Sequence, residues 1–228
     1  LRAHFWDRAR ALNIRTEFEL ETLDANPFDF LLKPSAVNFP FAYSASERFA
    51  LGPYLAPPSD RTQAELRGWL ATQLPSAPVE TVAFLIAVNE LLQARIRYTR
   101  REESGIQPSA ETIALGSGSC RDSAVLLTEL CRTFGLAARF VSGYLYDPPA
   151  EGAVARAPAS MHAWTEVYLP GAGWKGLDPT RGLFCDDSFI PVAHAAEADT
   201  VNPIQGNYYS PLVVASKLTT DVLIEPLS

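Results

Sequence analysis

The spacing of hydrophobic and polar residues changes along the chain, and the changes divide it into segments. Residues 12–23 (LNIRTEFELETL) alternate, with Ile14, Phe18 and Leu20 on one side and Arg15, Glu17, Glu19 and Glu21 on the other. That is the pattern of a half-buried antiparallel strand. Residues 24–58 keep no period but are rich in proline and aromatic rings. An ordered, irregular connection is expected there, because so many rings would not lie loose in water. Ser59 or Asp60 is placed to cap a helix running to about Leu74 and ended by Pro75. Over 79–98, Val82, Leu85, Ile86, Asn89, Leu92 and Ile96 recur at spacings of three and four, which predicts the longest helix. Residues 97–119 are polar and rich in Gly and Ser, the composition of a loop. A third helix is predicted from Ser119 or Cys120 to about Phe134, with Gly135 at the left-handed position that ends helices. From there the period becomes two: 138–145, 162–169 and 174–177 read as strands. A Pro/Ala/Gly-rich loop covers 147–160, and one or two further strands are expected within 212–227. The order of strand, helices, then strands implies an α+β fold with helices packed on an antiparallel sheet.

Composition narrows what such a fold could do. The chain has 228 residues, 47% hydrophobic and 20% charged, which is enough for a sizeable core and is not the signature of disorder. The net charge is −7, and −5 of it falls in Leu183–Ser228, where Lys217 is the only cation. Nucleic acid is not an expected partner, since tracking phosphates needs a concentrated basic surface. The acidic end reads as a solvated surface. The three cysteines, Cys120, Cys131 and Cys185, are odd in number and lack CxxC spacing. A disulfide framework and a structural zinc site are therefore not expected. No DxDxDG-type calcium loop occurs; no metal or cofactor is expected. No apolar run approaches the ~18 residues of a membrane helix, so no membrane partner is expected. Three free thiols fit a cytoplasmic location. The chain begins at Leu1 and its single methionine is Met161, so a natural N-terminus upstream, with a signal peptide lost from it, stays open as an alternative.

Candidate chemistry lies in 116–135 (GSGSCRDSAVLLTELCRTFG). Cys120 follows a small-residue loop and opens an amphipathic helix. The positive end of the helix dipole and the unpaired first-turn N–H groups favour a thiolate there, and could hold an oxyanion beside it. The small residues upstream would let a substrate carbonyl approach. Cys131 falls on the mid-helix stripe with Ala124, Leu127 and Phe134 and reads as core. Cys185 lies among carboxylates in FCDDSF and is expected to be inert. A cysteine nucleophile needs a base, and the base an orienter. Of His4, His162 and His194, His162 opens a predicted strand directly after a loop. Asp178, in GWKGLDPT, ends another strand and could orient that imidazole, make an Asx turn over Pro179 and Thr180, or do both.

Together these pieces resemble the transglutaminase-like superfamily of papain-fold cysteine enzymes. The resemblance is carried by GSGSCRDSAVLLTELCRTFGLAARFVSGYL and MHAWTEVYLPGAGWKGLDPTRGL, over about residues 80–182. It implies a papain-like core with the nucleophile helix packed on an antiparallel sheet, and a triad of Cys120, His162 and Asp178. That triad would form a thioester from a peptide or protein amide, resolved by water or an amine. It also implies oxyanion donation by the Cys120 N–H and one upstream side chain, with Tyr98 and Gln107 as candidates. Trp164 would shield the site or pack in the core. Asp122 would cap the helix or pair with Arg121 or Arg139, and Arg139 is also a candidate partner for Glu166. The expected layout is 1–58 as the remnant of an N-terminal β domain plus an irregular connection, 59–182 as the catalytic core, and 183–228 as an extension whose strands pack on it. A non-catalytic peptide-binding domain on the same fold is the competing reading, because a fold does not dictate function.

Overall fold

The computed structural model describes residues 7, 9–23, 25–74, 79–101, 105–146, 159–202, 215 and 217–225. After a single 3-10 turn at Pro34–Ala36, two short helices follow, α1 (Ala45–Ala50) and α2 (Gly52–Leu55). Ser44 opens α1 with a closed capping box: its hydroxyl accepts the Glu47 N–H, and the Glu47 carboxylate accepts the Ser44 N–H. Helix α3 (Asp60–Gln73) starts where Ser59 Oγ accepts the Thr62 N–H. Helix α4 (Thr81–Arg95) turns Leu85, Val88, Asn89 and Leu92 into the core. Strand β1 (Arg97–Tyr98), helix α5 (Ser109–Leu115) and strand β2 (Ser117–Gly118) lead to α6 (Cys120–Thr133). Gly135 ends α6 at φ +81°, and the Leu136 N–H returns to the Cys131 carbonyl at 2.9 Å.

The remaining strands are β3 (Ala138–Tyr146), β4 (Ala159–Leu169), β5 (Gly173–Asp178), β6 (Leu183–Phe184) and β7 (Phe189–Ala195). They form an antiparallel sheet in the order β6-β5-β4-β3-β7, while β1 and β2 make a separate parallel pair. The main core lies between this sheet and α3, α4 and α6, and joins Leu66, Leu85, Leu92, Leu127 and Leu130 to Val167 and Leu177. A second cluster, Val141, Leu145, Trp164 and Phe189, fills another part of the sheet. Cys131 is buried in the main core, where its sequence stripe places it. The two clusters hold α6 and the middle strands rigidly, and that rigidity is what a site at their ends requires.

Four expectations are corrected. Residues 12–23 form no strand; Ile14 is 74% and Phe18 56% exposed. Alternation makes a strand only when a neighbouring strand pairs with it, and among the described residues none does. The segment 1–58 accordingly shows helical turns, with Asn38–Glu80 as an isolated bridge, and no β domain among its described residues. The expected loop 97–119 contains α5, whose first turn follows Pro108 and whose end is met by Gly116 at φ +59°. The sheet is completed at both edges from beyond 182, by β6 and β7. The latter escaped the period-two reading because Pro191 interrupts it, which an edge strand with a register shift tolerates. Most of the expected 147–160 loop lies outside the described residues, as does part of 212–227, of which 217–225 carries a single bridge residue at Leu223.

Candidate active site

Cys120 is the first residue of α6, so its N–H has no acceptor within the helix. It packs against Ala124, Phe140 and Ala163, which ties the helix start to β3 and β4. His162 lies on β4 opposite Gly143 of β3, and Asp178 is the last residue of β5. Both are buried, and His162 Nε2 lies 2.8 Å from Asp178 Oδ2. The other carboxylate oxygen accepts the Thr180 N–H at 2.8 Å and its hydroxyl at 2.7 Å, so Asp178 faces the imidazole and makes its Asx turn together. With Nε2 engaged by Asp178, Nδ1 is the ring nitrogen left over, and Cys120 lies near enough to act on the charge of the ring.

The electrostatics follow from this packing. Burial opposes a charged imidazole, but the hydrogen bonds to Asp178 and Cys120 and their charges outweigh it and push His162 up to about 9. Burial likewise works against the Asp178 carboxylate, and the bonds from His162 and Thr180 overcome it and hold its pKa below the usual range. The pair is therefore imidazolium and carboxylate at neutral pH. Burial dominates at two of the thiols: Cys131 is pushed up to about 12, and Cys185, also beside Asp178, Glu166 and Asp186, is raised well above its ordinary value.

The surrounding groups divide. Tyr98 pairs in register with Gly118, two residues before Cys120, and is 54% exposed. Partial burial, then the Cys120 and Asp178 charges, raise its pKa against the opposing Arg100, so the phenol keeps its proton beside the thiol. Gln107 is corrected as an oxyanion donor. Its amide donates to Thr112 Oγ1 and to the Ser117 carbonyl, both at 3.0 Å, so no N–H of that side chain is left over. Trp164 is 1% exposed and forms a three-ring cluster with His162, 6.4 Å away at 27°, and Phe189, 5.4 Å away at 76°, so it packs in the core beside the imidazole. Gly143 makes room beneath it, since a Cβ there would stand 2.1 Å from the Ile190 carbonyl oxygen and 2.7 Å from Trp164. Asp122 receives the Ser119 N–H, as a cap does, but its ion-pair partner is Arg101 rather than Arg121 or Arg139. The pair is 21 positions apart in the sequence, and no local spacing signals it. Arg139 meets Glu166 at 2.6 Å, as expected, and lies over Trp174. His194 is exposed on β7, and His4 lies outside the described residues.

Among the described residues, no three His, Cys, Asp or Glu side chains gather so as to hold a metal ion, and no helix is long and apolar enough to cross a membrane. A hollow of about 500 Å³ lined by Phe39, Arg67, Arg132 and Phe134 opens at the C-terminal end of α6, away from Cys120.

Over 105 residues the chain is 35% identical to an uncharacterized protein of Mycobacterium tuberculosis, covering 44% of this chain and 33% of that one. An uncharacterized protein of Mycobacterium leprae is 32% identical over 92 residues, covering 40% and 32%. The chain thus spans about a third of the length of the curated relatives it matches. A crystal structure of a candidate cysteine protease from Cytophaga hutchinsonii shares the fold with a TM-score of 0.56 at 21% identity, over 73% of this chain and 53% of that one. The periplasmic domain of TgpA from Pseudomonas aeruginosa aligns with a TM-score of 0.39 at 24% identity, over 62% and 49%. Residues 70–179, from within α3 to just past β5, match the profile of the transglutaminase-like superfamily. That matched core, just under half of the chain, contains Cys120, His162 and Asp178 and is similar to the transglutaminase-like superfamily.

Proposed function

We propose that the protein is a thiol-dependent acyl-transfer enzyme acting on peptide or protein amides, with Cys120 as nucleophile, His162 as acid and base, and Asp178 as orienter. The observation that carries this reading is the 2.8 Å contact of Asp178 with His162 Nε2, in a buried setting where Cys120, at a helix start, adds to the forces that keep the same ring charged. In the first step the Cys120 thiolate attacks the amide carbonyl carbon. A C–S bond forms, the carbonyl oxygen takes the charge, and the Cys120 N–H and Tyr98 hydroxyl donate to it. The C–N bond then breaks as His162 gives its proton to the leaving amine, which leaves a thioester. Neutral His162 next takes a proton from water or an incoming amine, that nucleophile attacks the thioester, and the thiolate departs. Water gives hydrolysis and an amine gives transamidation. Asp178 holds the ring so that Nδ1 faces the sulfur throughout, and Trp164 keeps solvent from one side of the ring. Free thiols at 120, 131 and 185 suit a cytoplasmic setting for this chemistry.

The test is mass spectrometry of a peptide library incubated with the protein and an excess of a primary amine, beside Cys120→Ala. Cleavage, deamidation or amine incorporation that disappears in the variant supports the reading and names the reaction type. Peptide retention without turnover in either protein would instead favour a binding domain.

A further inference from the structure

Asp122 is held more deeply than helix capping requires. Its carboxylate is fully buried and accepts five hydrogen bonds. Two come from the helix start, the Ser119 N–H and O–H, each at 2.8 Å. Three come from elsewhere: the Gln107 N–H at 2.8 Å, and the Arg101 guanidinium, which reaches both oxygens at 2.8 Å. A capping acid at an exposed helix end needs only the first set. Here the acid joins three stretches that surround the thiol. Arg101 closes the stretch that begins with β1 and Tyr98. Gln107 extends the connection, because its side chain holds Thr112 Oγ1 and the Ser117 carbonyl. Ser119 directly precedes Cys120. Gly118 belongs to the same arrangement: a Cβ there would stand 2.9 Å from Asp122 Cβ, so the glycine two residues before the thiol makes room for the acid.

The consequence falls on the backbone. With the Ser119 N–H turned inward to Asp122, the next amide, that of Cys120, is the first without an acceptor in the helix and is left for an incoming oxygen. Arg101 also matters to the charge balance, because an unpaired carboxylate two residues from the thiol would oppose a thiolate. We infer that Asp122, together with Arg101, is a positioning residue for acyl transfer, holding the Ser119–Cys120 turn and the Tyr98 strand in one fixed arrangement. This rests on the acyl-transfer reading above. Asp122 itself touches neither substrate nor sulfur and acts through Ser119 and Arg101.

The experiment is the rate of Cys120 alkylation by iodoacetamide against pH, with melting curves recorded alongside, for the whole chain and for Arg101→Met, Arg101→Lys and Asp122→Asn. Wild-type Cys120 is expected to be alkylated at pH 6 and at pH 7, far faster than Cys131. Arg101→Met should slow that reaction by about tenfold, and Arg101→Lys should recover most of the loss. Asp122→Asn, which turns an NH2 group onto one of these donors, should slow alkylation by about tenfold across the profile. A purely structural brace would lower the melting temperature and leave the alkylation profile in place. A folded Arg101→Met or Asp122→Asn with the wild-type profile therefore overturns the inference. If Asp122→Asn does not fold, the Arg101 pair decides. A wild type whose Cys120 reacts no faster than Cys131 overturns the acyl-transfer reading and this inference with it, whereas unchanged variants of a wild type that keeps that preference overturn this inference alone.

Discussion

At the scale of single residues, the three cysteines are chemically distinct because of where each sits. Cys131 is sealed in the core, Cys185 is half-buried among carboxylates, and Cys120 stands at a helix start beside an imidazole. Iodoacetamide at neutral pH should accordingly label Cys120 far faster than Cys131, which peptide mapping would read directly. Equal, slow labelling of both would remove the activated thiolate. Tyr98→Phe keeps the ring and deletes one proposed oxyanion donor, so turnover should fall by roughly tenfold to a hundredfold or more with little change in melting temperature. The pH dependence of turnover has a definite sign. The leaving amine needs the His162 proton, so amide turnover should decline as pH rises through about 9, where that proton is lost. The Cys–His–Asp set was legible in the sequence because each member sits in a local motif with a recognisable neighbour: Gly118 and Asp122 around Cys120, Trp164 after His162, Pro179 and Thr180 after Asp178. Gln107 was misjudged because its donors meet Thr112 and Ser117, and only the closed loop reveals those partners.

At the scale of elements, α6 and its partner strands transmit position to the site. Leu127 is fully buried at the centre of the α6–sheet contact, and Leu127→Ala should destabilise the fold by about 2–5 kcal/mol in denaturant melts. Gly143 has a different reason to be irreplaceable. A methyl there would meet the Ile190 carbonyl and the Trp164 ring beneath His162, so Gly143→Ala should cost about 1–3 kcal/mol and also lower turnover by shifting the β4 start. Helices α4 and α6 were readable because apolar positions recur at spacings of three and four over fourteen or fifteen residues, and α3 because Ser59 and Pro75 mark its ends. Helix α5 was not, since seven residues of mixed polarity carry too few turns for a period to show. The alternation in 12–23 misled for the converse reason: the pattern is present, but a strand exists only through hydrogen bonds to a neighbour.

At the scale of the whole molecule, the His162–Asp178 pair links the fold's stability to pH. His162 is raised from 6.5 to about 9, so its contribution is complete below about pH 6.5 and is lost as pH climbs through about 9. Asp178 is lowered from 3.8, so its contribution is present above that pH and fades as the medium becomes more acidic. The melting temperature should therefore decline between pH 6.5 and 9, and His162→Gln should flatten that decline; equal slopes in both proteins would detach the pair from stability. The acidic end of the chain also reads differently once folded. Part of it, Leu183–Ala195, supplies both edges of the sheet that carries His162 and Asp178, so those residues serve the core before any surface role.

The sequence by itself determined the α+β class, the helix that Cys120 opens with its C-terminal glycine, and the three middle strands, and it singled out Cys120, His162 and Asp178 as candidates, because all of these are written in short-range periods and compact motifs. Tertiary structure alone decided that Asp122 takes Arg101 across twenty-one residues, that Gln107 braces a loop, that Trp164 lies both in the core and beside His162, and that residues beyond 182 close the sheet. The division has one physical cause. Local periodicity encodes which face of an element is buried, whereas hydrogen-bond partners and strand neighbours are chosen by chain closure, to which sequence distance is nearly blind.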